Sequence, residues 1–333
     1  MGTLKFGLIG CGRIADANHI PEMLTLGKKA VITAMYDTVK GKAQALAKKH
    51  NLTPEPEYCR TLDELLASDI DAVMIATPNS LHYPQTIRAL EAGRHVLVEK
   101  PMASSMKEAE EMIALAEEKG LVLQVNQSLR YSSLHAEIAG MIAKGKIGTP
   151  LHANCIRCST NSPDVSWSPG ATWFVQKKYK GSLVTDIAVH MADVLFWCFG
   201  PVSRITAVTR NLTHEVPDNV DAIMQFENGA TASLTLSWTY PEGAGVLEFY
   251  GDKGSLKLTS NGIELLKKGE KEPVITAGKD VRQIPNSHAA FVAAVNKGKK
   301  GEWLYGRNAL ALCMGILESA KKHKGVAPDL LLK

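Results

Sequence analysis

Lys5-Phe6-Gly7-Leu8-Ile9-Gly10-Cys11-Gly12-Arg13-Ile14-Ala15 decides the fold. Its apolar run reads as a buried strand, its two glycines as a tight turn and the residues after them as the opening of a helix. Gly10, Gly12 and Ala15 satisfy the pattern G-x-G-x-x-A. In that pattern the first glycine turns the chain, the second lets a pyrophosphate come close, and the alanine packs helix on strand. The helix N-terminus adds amide donors and a dipole that favours an anion. Glycine turns are common, so the pattern alone says little. Its place between a strand and a helix at the start of a βα unit makes it a dinucleotide site.

Working outward, strands predicted at 5–10, 31–37, 72–77, 95–99 and 121–126 alternate with helices at 15–26, 40–50, 62–68, 83–92 and 104–119. Such alternation predicts parallel strands with crossover helices on both faces. After about residue 150 the texture changes. Strands predicted at 151–160, 202–210, 220–227, 230–238, 245–250 and 255–258 read as antiparallel, and Asn228-Gly229 marks a tight hairpin. Helices at 187–198, 287–297 and 305–323 cover one face, and the last two return the chain toward the first domain. The expected fold class is α/β. A doubly wound Rossmann sheet occupies residues 1–126, and an α+β domain with an open, mostly antiparallel sheet occupies 127–333. The segment 230–238 alternates strictly, and its polar face carries Thr231, Ser233, Thr235 and Ser237 with no helix left to cover it. That face is expected to join subunits in a homodimer or homotetramer.

The 333 residues are 45% hydrophobic, enough for full cores, and no apolar run reaches the roughly 18 residues of a membrane span. The chain enters its first strand at once and leaves no room for a secretory signal, so a cytoplasmic protein without a membrane partner is expected. Six scattered cysteines argue against a disulfide framework. Cys155 and Cys158 lie in a predicted strand, where their spacing points them to opposite faces, and no second pair completes a zinc site. They read as buried structural cysteines, and no metal is expected. A net charge of +4 is spread along the chain, and the densest basic run, Lys297-Gly298-Lys299-Lys300, reads as a solvated helix end. No nucleic-acid partner is expected.

Glu99-Lys100-Pro101 closes the apolar run 95–98. Ligands of open α/β sheets bind beyond the carboxyl ends of the strands, which points Lys100 at a bound cofactor. The proline restricts the backbone there. Asp37, at the end of the second strand, is placed to accept from the adenine ribose or to cap the turn that follows. An acid there repels a 2′-phosphate and favours NAD; Lys40 close by keeps NADP possible. Thr77-Pro78-Asn79-Ser80-Leu81-His82 follows the third strand, both as helix start and as cofactor contact. By itself, His82 would read as a surface helix residue. Asp186 and His190 are four apart and share one face of a helix. Arg130 either pairs with a carboxylate or is solvated. Trp167, Trp173 and Tyr179 lie in a long polar loop and form a substrate wall or pack over the second domain. His288 either reaches the site or lies at the surface.

Taken together, the chain resembles the Gfo/Idh/MocA family over nearly its whole length. The carriers are Gly10 to Ala15, Thr77-Pro78-Asn79 with His82, Glu99-Lys100-Pro101, Arg130, and Asp186-x-x-x-His190. The resemblance implies NAD(P)-dependent oxidation or reduction of a sugar or cyclitol. It places Lys100, Asp186 and His190 at catalytic positions. Cofactor contacts are expected from Gly10, Gly12, Arg13, Ile14, Asp37, Thr77, Pro78, Asn79, His82, Glu99 and Lys100. Substrate contacts are expected from Lys100, Arg130, Trp167, Trp173, Asp186 and His190. His190 would take the hydroxyl proton, Asp186 would orient hydroxyls, and Lys100 would stabilise developing alkoxide, with the roles of Lys100 and His190 exchangeable. Many members carry glycine between the aspartate and the histidine; here Ile187-Ala188-Val189 would narrow the pocket. The resemblance also admits an NAD-dependent glycosidase and a non-catalytic sensor.

Overall fold

The computed structural model describes residues 2–299 and 301–332. Lys300, the last residue of the basic run, lies outside the described residues, as do the two chain ends. The chain divides into two compact units, Met1–Gln127 with Pro285–Arg307, and Ser128–Ile284 with Asn308–Lys333.

In the first unit six strands, β1 (Leu4–Ile9), β2 (Ala30–Tyr36), β3 (Glu57–Cys59), β4 (Ala72–Ile75), β5 (His95–Glu99) and β6 (Leu123–Asn126), pair in the order β3-β2-β1-β4-β5-β6. Every pairing in this sheet is parallel. All six carboxyl ends therefore lie along one edge, and the order reverses between β1 and β4, which is where such sheets bind ligands. The intervening helices are α1 (Ile20–Leu24), α2 (Lys42–Lys49), α3 (Leu62–Ala67), α4 (Asn79–Glu91) and α5 (Met106–Glu118). The helix expected from residue 83 starts earlier, at Asn79, behind Pro78. Pro78 fixes its own dihedral but carries no N–H, so it sits well just outside the first turn.

Phe6, Leu8, Met35, Met74 and Leu97 build the core of this sheet together with Phe291 and Val292. The latter two come from α8 (Ser287–Asn296), and the Phe6 and Phe291 rings lie 5.7 Å apart. Residues 285–307 thus belong to the nucleotide-binding unit, and its core is not complete at residue 126.

The second unit holds α6 (Ser133–Ala143), α7 (Val189–Phe199) and eight strands. These are β7 (Pro150–Cys158), β8 (Val202–Arg210), β9 (Asn219–Phe226), β10 (Thr231–Ser237), β11 (Ala244–Gly251), β12 (Gly254–Thr259), β13 (Gly262–Lys267) and β14 (Val274–Ala277). Their order is β14-β13-β12-β11-β7-β10-β9-β8, and only β7 with β10 runs parallel. α9 (Trp303–Lys322) begins in the first unit and ends in the second. Inward residues Ala153, Ala232, Leu234 and Phe249 meet Val189, Leu195 and Phe199 of α7 in one core.

The other face is polar. Ser233 donates to Asn154 Oδ1 at 2.8 Å, Thr235 to Asp221 Oδ1 at 3.0 Å and Ser237 to Asn219 Oδ1 at 2.8 Å, while Thr231 lies 2.9 Å from His152 Nδ1. On the same face Val208 and Ile223 are exposed.

By length and average composition alone, the stretch 177–199 would be long and apolar enough to cross a bilayer. Most of it is buried inside the protein, as in the core helix of a soluble chain. All six cysteines are free thiols and buried; burial pushes the Cys155 thiol up to about 12.

Candidate active site

The glycine turn has the geometry a pyrophosphate needs. Gly10 has φ +92°, and a Cβ there would stand 2.6 Å from the Ala76 carbonyl oxygen. Any larger residue would strain the turn and collide with β4's exit. Beside Gly12, by contrast, nothing lies within 4 Å of where a Cβ would stand. That is open space for the close approach of a ligand. Ala15 is fully buried under the turn, Ile14 is half-buried and Arg13 is exposed.

Asp37 ties the end of β2 to this turn. Its Oδ2 accepts from the Cys11 N–H at 2.8 Å and its Oδ1 from the Val39 N–H at 2.8 Å. The neighbouring cation is Lys42, 3.4 Å from Oδ2, rather than Lys40. Thus Asp37 caps the turn and stands beside the glycines at once. The open space at Gly12 and the Asp37 side chain at the end of β2 fit a bound dinucleotide.

His82 is not a surface residue. It is 1% exposed, with Nδ1 2.7 Å from the Pro101 carbonyl oxygen and Nε2 2.8 Å from that of Thr77. It ties the loop after β4 to the loop after β5. Burial holds its imidazolium below the ordinary histidine range, against the pull of both carbonyls and Glu99. Thr77 donates from Oγ1 to Gln85 at 2.6 Å, which fixes the same loop to α4. The expected cofactor segment from Thr77 to His82 is therefore a rigid edge of the sheet.

Glu99 ends β5 fully inside the protein, and Lys100 follows it half-buried. Burial alone would raise the Glu99 carboxyl. His19 at 3.1 Å, the Lys100 charge and the Asn126 Nδ2 donor at 2.6 Å outweigh it and hold the group at about 2. Glu99 is thus a carboxylate, and its Oε2 also accepts the Lys100 backbone N–H at 3.2 Å. His288 takes neither of the two expected places. It is fully buried in the first unit, between His19 and Glu22.

In the second unit, Asp186 lies in a wide helical turn, Val184–Ala188, that runs directly into α7. Asp186 is buried and His190, one residue into α7, is half-buried. Arg130 grips the same helix: its Nε donates to Asp193 Oδ2 at 2.7 Å and its Nη2 to Oδ1 at 2.8 Å. Both partners are buried, and the guanidinium also lies 5.1 Å from the Trp197 ring centroid. Two of its donors thus serve Asp193, three residues beyond His190. Trp173 stacks on Phe174 with centroids 3.7 Å apart, and Trp167 is 44% exposed. Asp193 and His19 were not singled out from sequence. Asp193 lies 63 positions from its arginine, and no local pattern marks such a pair. Among the described residues no group of three or more His, Cys, Asp or Glu is arranged to hold a metal ion.

Residues 4–127 match the family described as "Oxidoreductase family, NAD-binding Rossmann fold", and residues 135–257 match the GFO/IDH/MocA C-terminal domain. A 1,5-anhydro-D-fructose reductase of Ensifer adhaerens is 30% identical over 258 residues, 76% of this chain and 74% of that protein. The scyllo-inositol 2-dehydrogenase (NAD(+)) of Bacillus subtilis is 26% identical over 263 residues, 76% of this chain and 73% of the other. Among solved structures, the WlbA dehydrogenase from Bordetella pertussis in complex with NADH and UDP-GlcNAcA superposes with a TM-score of 0.86 at 26% identity, covering 99% of each chain. The glycine turn and the lysine beyond β5 now have a context: the chain belongs to the Gfo/Idh/MocA family of NAD-binding oxidoreductases.

Proposed function

We propose that this oxidoreductase transfers a hydride between NAD and a secondary alcohol or ketone of a sugar or cyclitol. The observation that carries the reading is Lys100, which follows a buried carboxylate at the carboxyl end of β5, on the sheet edge that holds the glycine turn. The relatives' names, a sugar reductase and an inositol dehydrogenase, support the substrate class. When bound, the nicotinamide accepts or supplies the hydride.

The chain's own residues handle the proton and the oxygen. His190 takes the hydroxyl proton in oxidation and returns it in reduction. Lys100 binds the reacting oxygen and stabilises its developing negative charge. Asp186 hydrogen-bonds substrate hydroxyls, and Trp167 and Trp173 contact the sugar. Arg130 acts by holding α7, which carries His190, through Asp193. Asp37 selects NAD over NADP, because a carboxylate facing a 2′-phosphate is a like-charge contact.

We read the polar outer face of β10, with exposed Val208 and Ile223 beside it, as a subunit interface of a soluble, cytoplasmic homodimer or homotetramer. Light scattering that finds only a 36.1 kDa species at micromolar concentration refutes the assembly. The chemistry is tested by following NAD reduction over a panel of sugars, inositols, sugar acids and nucleotide sugars. Turnover of at least one member, lost in Lys100→Met, supports the reading. Full retention of turnover in that variant overturns it.

A further inference from the structure

The long aromatic loop between β7 and Asp186 is built against the turn that joins β8 to β9, residues 211–218, and both lie in the second unit. Asp218 organises that turn from a fully buried position. Its Oδ1 accepts from the Leu212 amide at 2.9 Å, and its Oδ2 accepts from the amides of Thr213 at 2.7 Å and His214 at 3.1 Å. Successive amides on one carboxylate fix the backbone of the turn. His214 Nδ1 lies 3.1 Å from the same Oδ2. The imidazole stands edge-on to the Trp238 ring, and the Trp238 amide donates to the Asp218 carbonyl at 3.0 Å.

From this turn, side chains reach the loop near each of its ends. At the first end, His214 Nε2 lies 3.2 Å from Ser162 Oγ. Ser162 is 2% exposed and is the hub of the segment that leads to Trp167. Its carbonyl accepts from the amides of Val165 and Ser166, both at 3.1 Å, and from the Ser166 hydroxyl at 3.0 Å. Its own hydroxyl donates to Asp164 at 2.5 Å. At the second end, Glu215 Oε1 accepts from the Lys177 amide at 3.2 Å, four residues after Trp173. There the loop also closes on itself. A Cβ on Gly181 would stand 2.3 Å from the Trp173 carbonyl oxygen and 2.2 Å from that of Phe174, so the chain can pass only as glycine. The Leu183 amide then donates to the Pro217 carbonyl at 2.9 Å, just ahead of Asp186.

The order aspartate, histidine, serine is also that of a nucleophile triad. Ser162 is buried and donates its hydroxyl proton to Asp164, so no substrate carbonyl reaches it. The contacts serve position, not attack. We propose that the β8–β9 turn is the specificity-determining support of the aromatic loop: His214 positions Trp167 through Ser162, and Glu215 positions Trp173 through the Lys177 amide. His214 and Glu215 are positioning residues that act through the loop. The proposal rests on the reading of Trp167 and Trp173 as sugar contacts given above. A wall that holds the sugar equally before and during the reaction contributes to KM and not to kcat, so loosening it weakens substrate binding alone.

The test is fluorine NMR on the full chain labelled with 5-fluorotryptophan, without NAD or substrate, followed by steady-state kinetics. The chain has five tryptophans, and Trp167→Phe and Trp173→Phe assign the two loop lines. His214→Ala should displace the Trp167 line and leave that of Trp173 in place. Ser162→Ala should displace the Trp167 line as well, and the double variant should add little to either alone, because both changes cut one contact. Glu215→Ala should displace the Trp173 line and spare that of Trp167. Thermal melts confirm that each variant is folded. A Trp167 line that stays in place in both His214→Ala and Ser162→Ala overturns the proposal. With the panel sugar that the wild type turns over best, His214→Ala should raise KM about tenfold and keep kcat within about twofold. An unchanged KM, or a loss confined to kcat, overturns the positioning role. The fluorine lines are read without substrate, so the contact is tested even where no panel sugar is turned over; that result overturns the reaction itself and, with it, the role of the loop in binding.

Discussion

Two wide helical turns, one in each unit, are held in opposite ways. Ala15–His19 follows the glycine turn and ends on His19, whose imidazole faces Glu99 on one side and His288 on the other. Val184–Ala188 contains Asp186 and leads into α7, where His190 is half-buried and the helix is anchored by Arg130 on Asp193. The first turn is locked by titratable neighbours. The second leads into a helix that is held by the buried Arg130–Asp193 ion pair. A turn closed by a five-residue hydrogen bond also rotates whatever follows it around the helix axis. Spacing rules for a regular helix therefore do not carry across the join between Asp186 and His190. His19 is closed inside the first unit, whereas the proposed chemistry assigns His190 to the substrate.

If that contrast holds, His190 is the more sensitive position for turnover. His190→Ala should lower turnover by roughly 10²–10⁴-fold, the usual share of general acid–base catalysis. NAD affinity, read by quenching of protein fluorescence, should scarcely change. Near-normal turnover in that variant would remove His190 from the proposed chemistry.

The ion pair is the next largest effect. Arg130→Met leaves Asp193 buried and unpaired, and should cost about 3–5 kcal/mol of stability in urea unfolding. A cost under about 1 kcal/mol would mean that α7 is held by its packing alone.

The pH dependence of stability comes third. Burial, with Arg157 adding to it, holds the His135 imidazolium down at about 4. Between the unfolded histidine value near pH ~6.5 and that value, the unfolded chain binds the extra proton, so stability is full above that range and falls as the pH drops through it. The loss is on the order of 2–3 kcal/mol for this residue, and His82, His95 and His288 are shifted in the same direction. Melting temperatures from pH 8 to pH 4 should therefore fall, and His135→Gln should flatten part of the slope. A flat curve in the wild type would contradict the burial argument.

The smallest effect belongs to cofactor choice. Asp37→Ala should narrow the preference for NAD over NADP by about tenfold, roughly the 1.4 kcal/mol of one charge contact. The same change removes the acceptor of the Cys11 and Val39 amides, so a small loss in melting temperature should accompany it. A wild-type protein at least as efficient with NADP would contradict the role given to Asp37.

Much of the first unit was legible because its signals are short. The strand 95–99 coincides with β5, and the glycine turn, Asp37 and Thr77 all stand at strand ends. β3 escaped notice because three residues show no periodicity, and β13 and β14 because half-exposed strands near a sheet edge lack an apolar face. α6 escaped because its sequence opens with serines and a histidine.

Turn chemistry, strand alternation and the order of βα units follow from contacts between near neighbours in the chain, so the nucleotide-binding fold and the family could be read from residues alone. The partners of Arg130 and His288 could not. Asp193 is 63 positions from Arg130, and His288 is 269 positions from His19. Such pairs form only when distant segments close over one another and exclude water. In that dry interior an arginine must find a carboxylate, and a histidine a hydrogen-bond partner. Burial, which does not belong to any residue by itself, gave His288 its partners in His19 and Glu22.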